Sequence, residues 1–113
     1  MSKYHNRVTI RNGQRFDSLA EADRWTELRV LEAVGEIRRL SRQPSFVLVD
    51  GFKDANGKWE SPITYTADFM YEEDDKTIVE DFKGYVTRDY RIKRKLFKQR
   101  YGHLYSFREV KAR

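Results

Sequence analysis

The chain contains no cysteine, which excludes disulfides and thiolate metal sites and fits an intracellular protein. Its two histidines, His5 and His103, are too few and too scattered for a zinc site or a histidine–metal finger nuclease. The longest purely apolar run, Phe46 to Val49, is four residues, whereas a membrane-spanning helix needs about 20. The opening Met1-Ser2-Lys3-Tyr4-His5-Asn6-Arg7 lacks the apolar segment of a secretion signal, so the expected location is cytoplasmic, with no membrane partner. No nucleophile elbow or glycine-rich dinucleotide fingerprint occurs. Gly51 to Lys58 is only superficially like a phosphate-binding loop, because Trp59 stands where serine or threonine must bind magnesium. Nucleotide-driven and serine-hydrolase chemistries are thereby disfavoured.

No repeat, low-complexity tract or linker divides the 113 residues, so a single domain, residues 1–113, is expected. Charged residues make up 36% and aromatic residues 14%, polar for a globular protein but too aromatic for a disordered one. The net charge of +5 favours an anionic partner without identifying one.

The pattern of elements predicts a mixed α/β domain. Arg7 to Ile10 and Gln14 to Phe16 flank Asn12-Gly13, a pair suited to a hairpin turn with positive φ at both positions. Asp17-Ser18 opens a helix running to about residue 34, with Trp25, Leu28 and Leu31 on one stripe and Gly35 placed to end it. Residues 36–42 and 45–50 read as strands broken at Gln43-Pro44, and Asp54 to Gly57 as a turn. Ile63 to Tyr71 reads as one long strand, followed by a turn over residues 73–76 and a strand from Thr77 to Lys83. Thr87 caps a second helix over roughly 88–101, closed by Gly102, and Leu104 to Val110 forms a last strand.

The stretch around Asp68 and Asp81 carries the chemical information. Strand alternation puts Asp68 on a face with Thr66 and Met70, and Asp81 on a face with Val79 and Lys83. A turn centred on Asp74-Asp75 brings Asp68 directly opposite Asp81. Facing Cβ atoms would then lie roughly 4.5–5.5 Å apart, where like charges are destabilising. The cost is on the order of a few kcal/mol at an effective dielectric near 20. A hard divalent cation, Mg²⁺ or Mn²⁺, reverses that sign, since it takes carboxylate oxygens and keeps several waters. Lys83, on the same face, can orient or deprotonate a water or stabilise developing phosphate charge. A one-residue slip would instead pair Asp68 with Glu80 and move Lys83 off the shared face. The bland alternative is a solvated acidic strand.

Asp68, a short hairpin and then Glu80-Asp81-Phe82-Lys83-Gly84 resemble the second and third motifs of the PD-(D/E)XK nuclease superfamily. The order of elements is similar to that superfamily's helix–three strands–helix–strand core. The whole chain looks like its small phage-encoded, Holliday-junction-resolvase-like members, through Lys3-Tyr4-His5-Asn6, Phe16-Asp17-Ser18, Gln43-Pro44 and Tyr65-Thr66-Ala67-Asp68-Phe69. The resemblance implies a restriction-endonuclease-like core: a mixed sheet flanked by two helices, with an N-terminal β-hairpin added. It also implies a Mg²⁺- or Mn²⁺-dependent DNA endonuclease, structure-selective or nicking, in phage recombination, repair or packaging. Asp68 and Asp81 would be metal ligands and Lys83 the catalytic cation. Glu80 is the other candidate for the middle acid, but strand alternation with Lys83 favours Asp81. Glu21 matches the helix glutamate that completes such sites, although Ser18-Leu19-Ala20-Glu21 equally fits a capping box. Gln43 resembles a glutamine placed near the metal in some branches, or else serves as an edge residue satisfying backbone.

The second helix presents Arg88, Arg91, Lys93, Arg94, Lys95, Lys98 and Arg100 against one acid, Asp89, which suggests a phosphate track. Lys3, His5, Arg7, Arg11 and Arg15 form a second basic cluster that would clasp a duplex or remain a tail. Two symmetric cuts would need two sites, hence a homodimer. The alternative from another class is a non-catalytic DNA-binding or assembly module on a nuclease-derived fold.

Overall fold

A computed structural model of the protein describes residues 7–111. Lys3 and His5, two of the expected nucleic-acid contacts, lie outside the described residues. The first hairpin pairs β1 (Thr9–Arg11) with β2 (Gln14–Phe16). Asn12 and Gly13 take φ of 53° and 78°, as the turn requires. Helix α1 (Leu19–Ala33) starts at Ser18, whose side chain accepts from the Glu21 amide. Gly35 follows its end at φ 83°, the left-handed conformation that glycine adopts without a Cβ penalty.

The central sheet has the order β10-β9-β8-β3. It comprises β3 (Arg38–Arg42), β8 (Phe69–Glu73), β9 (Lys76–Lys83) and β10 (Ser106–Lys111). β3–β8 and β8–β9 are antiparallel, while β10 lies parallel to β9. The parallel return needs a crossover, which helix α2 (Arg88–Tyr101) supplies from its N-cap at Thr87. The fold is therefore mixed α/β with a mixed sheet, as expected.

The two helices cover opposite faces of the sheet. Leu28 of α1 packs with Phe69, Tyr71 and Ile78, and Tyr90 and Phe97 of α2 pack with Val79, Tyr65 and Ala67. Phe97 is fully buried, with ring centroids 4.9 Å from Phe46 and 5.6 Å from both Tyr65 and Phe107. Its truncation to alanine would cost roughly 3–5 kcal/mol.

The single strand expected over Ile63 to Tyr71 is two strands. β7 (Ile63–Thr66) pairs with β4 (Ser45–Val49) in a separate ribbon, while β8 belongs to the central sheet. The ribbon continues into β5 (Phe52–Lys53) and β6 (Trp59–Glu60), with the expected turn at its tip. The chain leaves the sheet after β3 at Gln43-Pro44 and re-enters at Ala67-Asp68. These two bends are tied together, since the Gln43 amide donates to the Asp68 carbonyl (2.8 Å) and the Ala67 amide to the Pro44 carbonyl (3.0 Å). Proline without an N–H suits the place where one ladder stops and the next begins.

Candidate metal and nucleic-acid site

The β8–β9 hairpin turns at Asp74-Asp75, with Asp74 at φ 54°. The pairs Phe69–Glu80, Met70–Val79, Tyr71–Ile78, Glu72–Thr77 and Glu73–Lys76 follow, which is the register expected from the sequence. Beyond the last pair, Phe69–Glu80, the ladder is irregular. The Asp68 amide donates to the Glu80 carbonyl at 3.2 Å, one residue short of the expected partner, while the Asp68 carboxylate reaches the Phe82 amide and so lies beside Asp81. The expectation that Asp68 shares a face with Thr66 fails. The bend at residues 67–68 interrupts alternation, so Tyr65 and Ala67 enter the α2-side core while Thr66 is exposed.

Asp68 and Asp81 are held by different partners. The Phe82 amide donates to Asp68 Oδ2 at 2.7 Å. Asp81 has no solvent exposure, and the Tyr65 hydroxyl donates to its Oδ2. Lys83 Nζ lies 3.1 Å from Asp81 Oδ1 and 4.5 Å from the centre of the Tyr90 ring. That ion pair is off the hydrogen-bonding direction, so the buried Oδ1 accepts no hydrogen bond. Burial, then the charges of Asp81 and Glu21, push the Asp68 carboxyl up to about 8. The acids share too few compensating donors to be ionised together without further positive charge.

Glu21 performs one half of its cap through its backbone and also turns its carboxylate inward. It is 5% exposed. Burial, followed by the nearby Asp17 charge, raises its ionisation above the ordinary range, and Arg42 opposes the shift. Asp81 also contributes to that rise, so Glu21 feels both aspartates. Gln43 reaches φ 54° at the bend and is exposed, with its backbone amide donating to the Asp68 carbonyl.

Glu80 occupies the opposite face and is satisfied there. Arg24 grips it through Nε at 2.7 Å and Nη2 at 2.8 Å, and the Tyr71 hydroxyl donates at 2.6 Å. Of the two acids on β9, only Asp81 is left beside Asp68 and Lys83.

Two residues of this site went unread in the sequence. Tyr65 reaches Asp81 from the ribbon, on the far side of the strand break. Glu109 lies beside Asp81 in the parallel β9–β10 register, where Tyr90 and Arg94 each donate to Oε2 at 2.6 Å. Burial opposes its ionisation, but those two hydrogen bonds prevail and hold its carboxyl below the usual range. The motif pattern offered no signal for Glu109; alternation along β10 relative to β9 would have needed the parallel register first.

On α2, Tyr90, Arg94, Phe97 and Tyr101 face the core side, which draws Arg94 onto Glu109 and away from the basic surface. Lys93 is half-buried, while Arg88, Arg91, Lys95 and Lys98 are exposed at helical spacing and form the open stripe. Arg7 is also exposed, just before β1.

Among the described residues, no three histidine, cysteine, aspartate or glutamate side chains close around a cation by themselves. Asp68 and Asp81, whose Oδ1 accepts no hydrogen bond and faces only the Lys83 ammonium, nevertheless fit a hard cation that keeps most of its waters, the usual habit of Mg²⁺. Among the described residues no helix is long and apolar enough to cross a membrane. No curated protein and no solved structure matches the chain. A family model matches residues 1–113, and the chain belongs to that family, described as a protein of unknown function (DUF1064).

Proposed function

We propose that the protein is a metal-dependent DNA endonuclease of the PD-(D/E)XK kind, with a restriction-endonuclease-like core formed by α1, the β3-β8-β9 strands, α2 and β10. The observation that carries this reading is the approach of Asp68, the residue before β8, to Asp81 on β9, where its carboxylate accepts from the Phe82 amide, with the Lys83 ammonium 3.1 Å from Asp81. Asp68 and Asp81 would hold Mg²⁺ or Mn²⁺, with Glu21 as a further ligand or water positioner. Such a cation polarises the phosphate and lowers the pKa of water. Lys83 follows Asp81 by two residues and so projects from the same face. Its ammonium is positioned to stabilise charge developing on a phosphate oxygen. The exposed stripe Arg88, Arg91, Lys95 and Lys98, on the helix that starts soon after Lys83, supplies a track for the phosphodiester backbone. In a phage setting these properties suit recombination, repair or packaging in the host cytoplasm, with paired cuts made by a homodimer.

The test is cleavage of supercoiled plasmid, linear duplex, single strand, flap and four-way junction with Mg²⁺ or Mn²⁺. Asp68→Ala and Lys83→Ala should abolish cleavage and leave DNA binding largely intact. Unchanged cleavage by either variant would sink the assignment. One observation favours a second reading, a DNA-binding module without chemistry. Lys83 and a proton on Asp68 together neutralise the buried acids without a cation. Absence of both Mn²⁺ uptake and nicking by the wild type would select it.

A further inference from the structure

The apolar contact of α1 with the sheet, through Leu28 and the Trp25–Phe69 stack at 5.8 Å, is non-directional, and near its C-terminal end Glu32 ties the helix to β3 by accepting from the Leu40 amide at 2.9 Å. A further directional tie is added by Arg24. Its guanidinium forms a fork on Glu80, which has no solvent exposure, and Nη1 also reaches Glu27 at 3.1 Å. Glu80 is held in turn by Tyr71, whose hydroxyl accepts from Arg108 at 3.0 Å, and Arg108 continues to Glu73 at 2.9 Å. The network thus runs from α1 through β9 and β8 to β10.

Burying an ion pair seldom stabilises a fold more than two well-packed apolar side chains would, so its energetic contribution does not explain its presence. Its position does. Arg24 stands one helical turn after Glu21 on the inward stripe, and Glu80 is the residue before Asp81. A bidentate fork fixes both distance and plane. Holding Arg24 on Glu80 therefore fixes where Glu21 stands relative to Asp68 and Asp81.

Resting on the nuclease reading above, we propose that Arg24 and Glu80 are positioning residues of the metal site: their ion pair locks α1 to β9 so that Glu21 is presented to the aspartate pair. Neither side chain touches the reacting atoms from its side of the sheet; both act through Glu21.

Removing Arg24 alone would strand a buried carboxylate, so the informative variant replaces both groups, Arg24→Met with Glu80→Leu. Thermal melts in EDTA and Mn²⁺ titration calorimetry are the readouts. The paired variant should melt at or above the wild type, as apolar replacements of buried pairs commonly do. Its Mn²⁺ affinity should nevertheless fall by about tenfold or more, the usual effect of losing an outer support of a metal site. Adding Glu21→Gln should cost nothing further, although Glu21→Gln in the wild type should weaken binding. A merely structural pair would not produce that non-additivity. Should the paired variant fail to fold, Glu80→Gln keeps the shape and the Tyr71 bond but sets an amide NH2 against Arg24 Nε. It should melt lower, and its Mn²⁺ affinity, titrated well below that melting temperature, should fall, whereas a wild-type affinity overturns the proposal. Wild-type Mn²⁺ affinity in the folded variant, or a full additional loss on Glu21→Gln, overturns the proposal alone. A wild-type protein that takes up no Mn²⁺ overturns the metal-site reading and the proposal with it.

Discussion

The Tyr65 hydroxyl donates to Asp81 Oδ2 from inside the α2-side core, so the carboxylate at the centre of the site is oriented by a residue of the neighbouring ribbon. Burial first, and then the Asp81 charge, push the ionisation of that phenol far upward, so it remains a proton donor at any ordinary pH. With Oδ2 engaged, Oδ1 is left towards Lys83 without a hydrogen bond of its own.

Tyr65→Phe keeps the ring against Phe97 and removes only the oriented hydroxyl. The expected loss of stability is small, about 1 kcal/mol for one hydrogen bond. Mn²⁺ affinity should fall by about tenfold or more, because Asp81 is then free to rotate. Calorimetric titration beside thermal melts separates the two effects, and an unchanged affinity would remove Tyr65 from the site.

Asp68 imposes a pH dependence with a definite sign. Its carboxyl is raised by burial and by the Asp81 and Glu21 charges, so the folded state binds the proton more tightly than the unfolded chain. Its contribution to stability is present below about pH 4, the ordinary carboxylate range, and is lost as pH rises towards about 8. In EDTA the wild type should therefore melt at progressively lower temperature across that window. Asp68→Asn, whose amide oxygen can still accept from Phe82, should lack that slope and be the more stable protein at pH 8. Saturating Mn²⁺ should restore the wild type and leave Asp68→Asn little changed. Parallel melts across the window, with and without metal, decide it.

The β8–β9 turn sets which acid faces Asp68, and it depends on Asp74 at φ 54°. Aspartate tolerates this conformation better than most side chains, whereas a β-branched residue does not. Asp74→Val should cost on the order of 1–2 kcal/mol. The melting temperature should then drop by roughly 4 °C or more. Asp74→Gly and Asp74→Asn should fold as the wild type does. Equal stability of all three variants would show that the register is held elsewhere.

Helix periodicity, the Asn12-Gly13 pair and the caps at Ser18 and Thr87 are local signals, and each leads to the element found. The β8–β9 register was equally legible as far as Phe69–Glu80, because the hairpin that sets it is short, but the irregular step at Asp68 was not. What escaped was non-local. Ile63 to Tyr71 looks like one strand because its residues all favour strand, and only pairing to two different partners divides it. Tyr65 and Glu109 escaped for the same reason, since their neighbourhood with Asp81 is created by the ribbon and by the parallel return of β10. Arg94 looked like part of a phosphate track until Glu109, fifteen residues away, came beside it.

That last difference gives the basic helix a residue-by-residue test. Arg88, Arg91, Lys95 and Lys98 are exposed along α2, whereas Arg94 is spent on Glu109 at 2.6 Å. Neutralising one exposed cation should lower the slope of log affinity against log salt on duplex DNA by about 0.9, if that side chain contacts a phosphate. Arg94→Gln should barely change the slope, and should instead cost stability by removing the charged donor to Glu109, which keeps its hydrogen bond from Tyr90. Fluorescence anisotropy with a labelled duplex over a range of salt concentrations reads both outcomes. Equal slopes for Arg91→Gln and the wild type would move the phosphate track off this face. A slope change for Arg94→Gln as large as for Arg91→Gln would mean that DNA draws Arg94 away from Glu109.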